Sequence, residues 1–175
     1  EERGNALHQR YARGFSAGYR DEHPPRLAVR DIELMESLDS GRSLAMSLYV
    51  PLEAQPGRLR FKLLRAGQLA PLSESLPMLE HMGVEVLEER PYEVHRHDPG
   101  ETVNDTDTDV WIDDFGMRVP GNEEVDVEPL RARFHETVFR TWQGENENDD
   151  FNRLVLRAGL DWRHVGMLRA YAAHM

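Results

Sequence analysis

Apolar and polar positions alternate along this chain with two distinct periods, and the most regular stretch runs from Arg58 to Val119. Leu59, Phe61 and Leu63 fall on one side of a two-residue repeat, and Arg60, Lys62 and Leu64 on the other. This predicts a strand over 58–66 with its basic side turned outward. Pro71 opens a short helical pattern, 71–82, in which Leu72, Leu76, Leu79 and Met82 form one stripe. Ser73 and Ser75 sit in its first turn, and Gly83 is its stop. Val84, Val86 and Glu88 share one face of the next strand, 84–94, which Tyr92 and Val94 continue past Pro91. A proline inside a strand removes a ladder donor, so this strand is expected at the sheet edge. In the last strand, 110–118, Val110, Ile112 and Asp114 share one face, and Trp111, Asp113 and Phe115 the other. Apolar groups on both faces predict an interior position.

The flanks are read the same way. Residues 1–23 contain YARGFSAGY, whose spaced glycines and aromatics suggest a frayed helix or an extended strap. Pro24 and Pro25 open a helix carrying Ala28, Ile32, Met35 and Leu38, with Gly41 just past its end. Leu44, Met46, Leu48 and Val50 alternate along a strand over 43–50, and LEAQPG turns it into 58–66 as a hairpin. Beyond VPGNEE, Asp126 is the expected cap of a helix with Val127, Leu130, Phe134 and Val138 on one stripe, ending near Gly144. The acidic break ENENDD leads to a helix with Phe151, Leu154, Val155 and Ala158. Asp161 caps a last helix in which Trp162, Val165, Leu168 and Ala172 line up.

Strands 58–66 and 84–94 flank a helix, so a right-handed crossover makes them parallel. Strand 110–118 turns back between them, and 43–50 takes the far edge. The expected order is 84–94, 110–118, 58–66, 43–50. The fold class is α+β: a ferredoxin-like α-β-β-α-β-β sandwich in permuted order, with a four-stranded antiparallel sheet and C-terminal helices after it. Residues 1–23 form a lead-in, 24–122 the domain, and 123–175 a helical region.

Charge narrows the partners. Acidic residues outnumber Lys and Arg by 32 to 21, for a formal net charge of -11. Binders of phosphate backbones concentrate the opposite sign on one face, so no nucleic-acid partner is expected, and no anionic membrane surface. The absence of cysteine excludes a disulfide frame, a thiolate nucleophile and a Cys-ligated metal, and fits a cytoplasmic protein. No apolar run is long enough for a membrane-spanning helix. No initiator Met or signal pattern opens the chain, and AAHM closes it inside a helical pattern, so a piece of a longer polypeptide is expected. Lys62 is the single lysine, which excludes mechanisms that need two within this stretch.

The candidate chemical constellations are weak. His95, His97 and Asp98 form an H-x-H-D group whose histidines would share a strand face, but third and fourth metal ligands at recognisable spacing do not follow. Asp105, Asp107 and Asp109 invite a calcium reading, yet the EF-hand glycine and glutamate positions hold Val110 and Gly116. ENENDD fails the same test, with Arg157 at the twelfth position from Asn146. Both are read as solvated loops. No two glycines are separated by a single residue, so the dinucleotide fingerprint is missing. Asp113 and Asp114 point to opposite faces of a strand and cannot pair as catalytic carboxylates; one of them is expected to make a strand-end hydrogen bond. Ser73 and Ser75 lack a glycine elbow. No catalytic, cofactor-binding or metal-binding residue is therefore expected, and effector-binding residues are undefined.

Three stretches nevertheless carry a resemblance. GRLRFKLLRAGQLAPLSESLPMLEHMGVEVLEERPYEV with VWIDDFGM, then VFRTWQGENENDDFNRLVLRAGLDWRHVGMLRAYAAHM, are similar to the large bacterial NAD-dependent glutamate dehydrogenases, from about Tyr19 to the end. TWQGENENDDFNRLVLRAGLDWR is the most specific run. The resemblance implies an ACT-like module in a non-catalytic, N-terminal region, with 123–175 leading to a catalytic domain beyond this chain. It implies no cofactor in this stretch and NAD in the whole enzyme. The partners it implies are that catalytic domain, neighbouring subunits of a homo-oligomer, and an amino-acid effector. The alternative is a purely structural interdomain or oligomerisation module.

Overall fold

The computed structural model describes residues 2–39, 41–97 and 109–175, with side chains from residue 4 onward. The elements are α1 (Glu2–Tyr11), α2 (Ala17–Glu22), α3 (Pro25–Leu38), β1 (Ala45–Tyr49), β2 (Arg58–Ala66), α4 (Leu72–His81), β3 (Glu85–Val94), β4 (Val110–Arg118), α5 (Arg131–Trp142), α6 (Leu154–Ala158) and α7 (Trp162–Ala172). Short 3-10 turns lie at Pro120–Asn122 and Asp150–Arg153. Asp98, Asp105 and Asp107 lie outside the described residues.

The four strands form one antiparallel sheet in the order β1-β2-β4-β3. That is the expected strand order. β4 is interior because its residues are buried almost without interruption, so both faces need cover. β3, with Pro91, lies at an edge, where a missing donor breaks no ladder bond. The chain divides into two compact units: Glu1–Met46, Lys62–Ala70 and Arg90–Asp114 in the first, Ser47–Phe61, Pro71–Glu89 and Phe115–Met175 in the second. Each strand contributes residues to both.

In the first unit, α3 buries Asp31, Met35 and Leu38, one stripe at spacings of four and three. Met35 and Leu38 pack in a cluster with Ala45, Leu64, Tyr92, Val94, Val110 and Ile112. Residues 1–23 are more ordered than a frayed strap. They form α1 and α2, whose Tyr11 and Tyr19 are buried in the same cluster, and the link between them docks on the outer end of β3. Phe15 bridges Val94 antiparallel, and the His95 N–H donates to the Gly14 carbonyl at 3.0 Å. A Cβ on Gly14 would lie 2.1 Å from the His95 carbonyl oxygen, so glycine is required there by close backbone approach.

A charge network ties α1 to the end of α3. Arg10 bonds Glu36 at 2.6 Å and Asp39 at 2.8 Å, while the nearly buried Arg96 reaches Asp39 at 2.6 Å. Burial alone would raise the Asp39 carboxyl, but Arg96 and then Arg10 outweigh it and hold it below its usual value.

The second unit is built on aromatic contact. The Phe61 ring lies 6.4 Å from Phe115 and 5.4 Å, edge-on, from Phe134 of α5. α5 also caps the open edge of β1: the Leu48 N–H donates to His135 Nε2 at 2.9 Å, and Arg131 Nε donates to the Leu48 carbonyl at 2.8 Å. Side chains thus satisfy backbone groups that would otherwise template another strand. Gly83, at φ +89, ends α4 as expected, and a Cβ there would sit 3.0 Å from Arg153 Cβ. α4 buries Ser75, Met78 and Leu79, with Met82 buried just past its end, whereas Leu72 is 40% exposed, so the stripe is rotated from the expected one.

Asp126 does not cap α5. Its carboxylate accepts from the Glu128 N–H at 3.2 Å in the turn that leads into α5, which starts at Arg131, whose N–H donates to the Val127 carbonyl at 2.8 Å. Pro129 brings no N–H of its own to that turn. Asp161 does cap α7, accepting from the His164 N–H at 2.9 Å.

Two stability measurements test this packing. Phe134→Ala should cost about 3–5 kcal/mol in denaturant unfolding, the usual range for emptying a buried aromatic site; a loss under about 1 kcal/mol would refute its central place. Because folding lowers the Asp39 pKa below 3.8, its contribution is complete above that value and fades as the pH falls through and below it. Asp39→Asn should therefore flatten the acid side of the stability profile, and an unchanged slope there would overturn the assignment.

Candidate functional site

The polar groups of the first unit converge where the sequence pattern put an exposed face. Lys62, expected to point outward, is 1% exposed. Its neighbour on the same strand face, Leu64, belongs to the apolar cluster under α3, so that face is covered. Lys62 Nζ donates to Asp31 Oδ2 at 2.6 Å, and Asp31 is itself 2% exposed. The Tyr19 hydroxyl donates to the same carboxylate oxygen at 2.5 Å, and Lys62 Nζ lies 5.5 Å from the Tyr19 ring centroid. A buried ammonium needs this set of a counter-charge, a shared acceptor and an aromatic face. Asp31 was not singled out by the sequence reading. The signal was there: a lone lysine inside an apolar strand calls for an acid on the covering helix, and Asp31 lies on the same stripe as Met35 and Leu38.

The polar chain continues through His23. Its Nε2 lies 2.9 Å from Asp114 Oδ2 and its Nδ1 3.2 Å from the Tyr19 carbonyl oxygen. Both partners are acceptors. The ring stacks on Tyr19 at 4.4 Å and meets Tyr92 edge-on at 5.3 Å. Tyr92 in turn donates to Glu22, which also pairs with Arg90 at 2.6 Å. The Tyr92 phenol is held well above its usual range, by burial first and then by the Glu22 bond, so it stays a neutral donor.

Asp113 and Asp114 take different partners, as their opposite faces require. Asp113 Oδ2 accepts the Ala70 N–H at 3.2 Å, a bond at the end of β2, while Asp114 meets His23. Both are essentially buried.

The remaining candidates separate. Glu93, His95 and Asp109 lie within metal-ligand spacing of one another, and His97 is not part of the group. Asp109 sits 3.0 Å from His95 Nδ1, whereas Glu93 sits 3.9 Å from Nε2. The two carboxylates flank opposite nitrogens of one ring, which suits an ion-pair bridge better than a single cation. Ser75 donates to the Pro71 carbonyl at 3.2 Å, a helix-start contact. ENENDD is exposed at Glu145, Glu147, Asn148 and Asp150, as a solvated loop would be, but Asn146 and Asp149 are half-buried against the residues that follow it. Asn152 is 1% exposed and donates to the Glu147 carbonyl at 2.8 Å, and Asn146 donates to Asn152 at 3.1 Å. Arg169 of α7 donates to both carboxylate oxygens of Asp149, at 2.6 and 2.9 Å. Together they form a polar hub that fixes α7 to the 3-10 turn.

Beside the Tyr19–His23 stack lies a cavity of about 590 Å³, formed by residues of α1, α2 and α3 and the link between the first two. It is predominantly apolar.

The match to known proteins is consistent along the whole chain. Residues 43–130 match the family described as glutamate dehydrogenase, ACT3 domain. Residues 1–38 match glutamate dehydrogenase helical motif 2, and 146–175 helical motif 3. This chain therefore belongs to the glutamate dehydrogenase ACT3 domain family, as the resemblance implied. The NAD-specific glutamate dehydrogenase of Halomonas elongata is 41% identical over 175 residues, and that of Pseudomonas aeruginosa 38% over 175, each across 100% of this chain. The NAD-specific glutamate dehydrogenase of Mycobacterium tuberculosis is 35% identical across 98% of it. The chain spans 10% of the length of each of these relatives.

No helix among the described residues is long and apolar enough to cross a membrane.

The buried pair sets a sharp stability test. Lys62→Met leaves Asp31 buried without its counter-charge and should cost about 3–5 kcal/mol in urea unfolding. The double variant Lys62→Met/Asp31→Leu should recover much of that loss. A double variant as unstable as the sum of its single changes would refute the coupling.

Proposed function

We propose that this chain is a regulatory and assembly segment of a large NAD-dependent glutamate dehydrogenase, with an ACT-like, ferredoxin-like core in permuted strand order. The whole protein would oxidise L-glutamate with NAD and water to 2-oxoglutarate, ammonia and NADH, with NAD bound outside this segment. Residues 1–23 act as a lead-in, 24–122 as the module and 123–175 as a helical linker toward the catalytic domain. The observation that carries the proposal is identity of 35–41% sustained across essentially the whole chain with proteins named NAD-specific glutamate dehydrogenase. The segment acts in the cytoplasm on its own catalytic domain and on neighbouring subunits of a homo-oligomer, and an effector would work by favouring one conformation over another.

A second reading, a structural or oligomerisation module without an effector, is favoured by α7. Met167 is 60% exposed and Tyr171 73%, four residues apart on one face. Such a ridge gains from burial against another surface.

This chain alone is expected to form no NADH from L-glutamate and NAD, and measurable turnover would overturn the non-catalytic assignment. In the longer protein, Met167→Asp with Tyr171→Asp should weaken subunit assembly in sedimentation or shift glutamate turnover. Unchanged behaviour in both measurements would sink the proposal, whereas lost assembly with an intact ligand response would select the structural reading.

A further inference from the structure

Tyr11, Phe15, Tyr19 and His23 recur every fourth residue through the end of α1, the link and α2. Their rings form a continuous ladder, with centroids 6.4, 4.6 and 4.4 Å apart in order. All four line the cavity of about 590 Å³, to which α3 adds Ala28, Val29 and Ile32. That volume falls within the range of about 300–1,000 Å³ typical of small-molecule sites. Small side chains leave the room: Gly4, Ala12 and Ala28 all border it.

The aromatic wall is held in place by hydrogen bonds. The Tyr11 hydroxyl donates to Glu36 at 2.7 Å, and Tyr19 to Asp31 at 2.5 Å. Burial first, and then the Glu36 bond, keep the Tyr11 phenol well above its usual range and therefore neutral. His23 meets Asp114 and the Tyr19 carbonyl. These rings consequently present carbon faces and edges in a fixed arrangement, suited to an apolar or aromatic body in offset or edge-on contact. Two permanently charged side chains border the cavity, Arg20 and Glu33, one of each sign and both exposed, with His8 beside them. Opposite charges at the mouth of an apolar space complement a dipolar head on an apolar body, and they discriminate against a head of single charge.

We propose that this cavity binds an α-amino acid with a large aromatic side chain, its carboxylate on Arg20, its ammonium on Glu33 and its ring against the Phe15–Tyr19 wall. This rests on the effector half of the reading above and gives that effector a site and a chemical class.

The test is calorimetric titration of this chain, without NAD or glutamate, so its outcome is separable from any enzyme assay. L-Phenylalanine should bind saturably. 3-Phenylpropanoate, which lacks the ammonium, 2-phenylethylamine, which lacks the carboxylate, and glycine, which lacks the ring, should each bind at least about tenfold more weakly, the scale of one lost charge-assisted contact. Arg20→Gln should weaken L-phenylalanine but leave 2-phenylethylamine unchanged, and Glu33→Gln should do the reverse with 3-phenylpropanoate. Ala28→Leu should abolish binding while leaving the thermal midpoint the same or higher, because it fills the space the ligand needs. Ala12→Leu, at an exposed position of the link just after α1, serves the same purpose if Ala28→Leu fails to fold. No saturable binding, equal binding of either truncated probe, or unaltered binding in a folded filling variant would overturn the proposal. Self-association abolished by Val29→Asp, without amino-acid binding, would instead assign the groove to a second copy of the chain.

Discussion

The Asp31–Lys62 pair is the constraint on which the first unit depends. A fully buried ammonium is tolerated only if its charge is neutralised and its donors are used. Asp31 supplies the charge from α3, and Tyr19, from α2, donates to the same oxygen. That requirement fixes the rotation of α3 on the sheet, because Asp31 must face β2, and it fixes α2, because Tyr19 must reach Asp31. Tyr19 then stacks on His23, and His23 meets Asp114 on β4. One buried charge thereby orders partners from two helices and two strands. An apolar substitute at position 62 could fill the same volume but would specify none of these orientations.

Periodicity made the sheet legible and left its cover obscure. VWIDDFGMR has apolar groups on both faces, and it lies in the interior; Pro91 belongs on an edge, and β3 is there. The same alternation misplaced Lys62, because a two-residue repeat assigns a face and says nothing of what packs on it. The cover comes from α3 together with the preceding residues 4–23, whose glycines suggested fraying. Gly14 is instead needed for the close approach of the His95 backbone, a long-range contact with no local signal. Asp126 is not the cap of α5, which starts at Arg131 with no side-chain cap bond; it closes the turn before it. Its side chain was assigned the right chemistry in the wrong turn.

The segment most diagnostic of family was the one least well understood physically. ENENDD has the composition of a solvated loop, and composition alone supports that reading. In the structure Asn146 donates to the buried Asn152 just after the run, Asn148 meets His81, and Arg169 clamps Asp149 with two parallel hydrogen bonds. A bidentate arginine and a buried amide demand particular side chains at particular spacings, which lysine or glutamine would not reproduce. The run is distinctive because several of its polar groups have specific partners. Its idiosyncrasy is therefore a record of packing, which is why it can identify a family without containing a reactive group.

The position of the cavity bears on how a ligand there would be felt. Its aromatic wall is not an independent surface: Tyr19 is the donor to Asp31, and His23 is the partner of Asp114. A molecule resting on those rings favours the arrangement in which they are ordered, and through them the buried pair and the β4 carboxylate. Binding energy and the order of the polar chain are then linked, and the linkage is reciprocal, since whatever loosens the Lys62–Asp31 contact also loosens the wall. The linkage becomes regulation only where a second arrangement of α1 and α2 exists whose affinity differs, because a ligand that binds two states equally shifts neither. The link at residues 12–16 is the natural place for that difference. It is held to β3 by the Phe15–Val94 bridge and the Gly14–His95 hydrogen bond, while each helix beside it carries its own buried tyrosine. Few backbone bonds separate the docked link from an undocked one, and the tyrosine ladder runs through it.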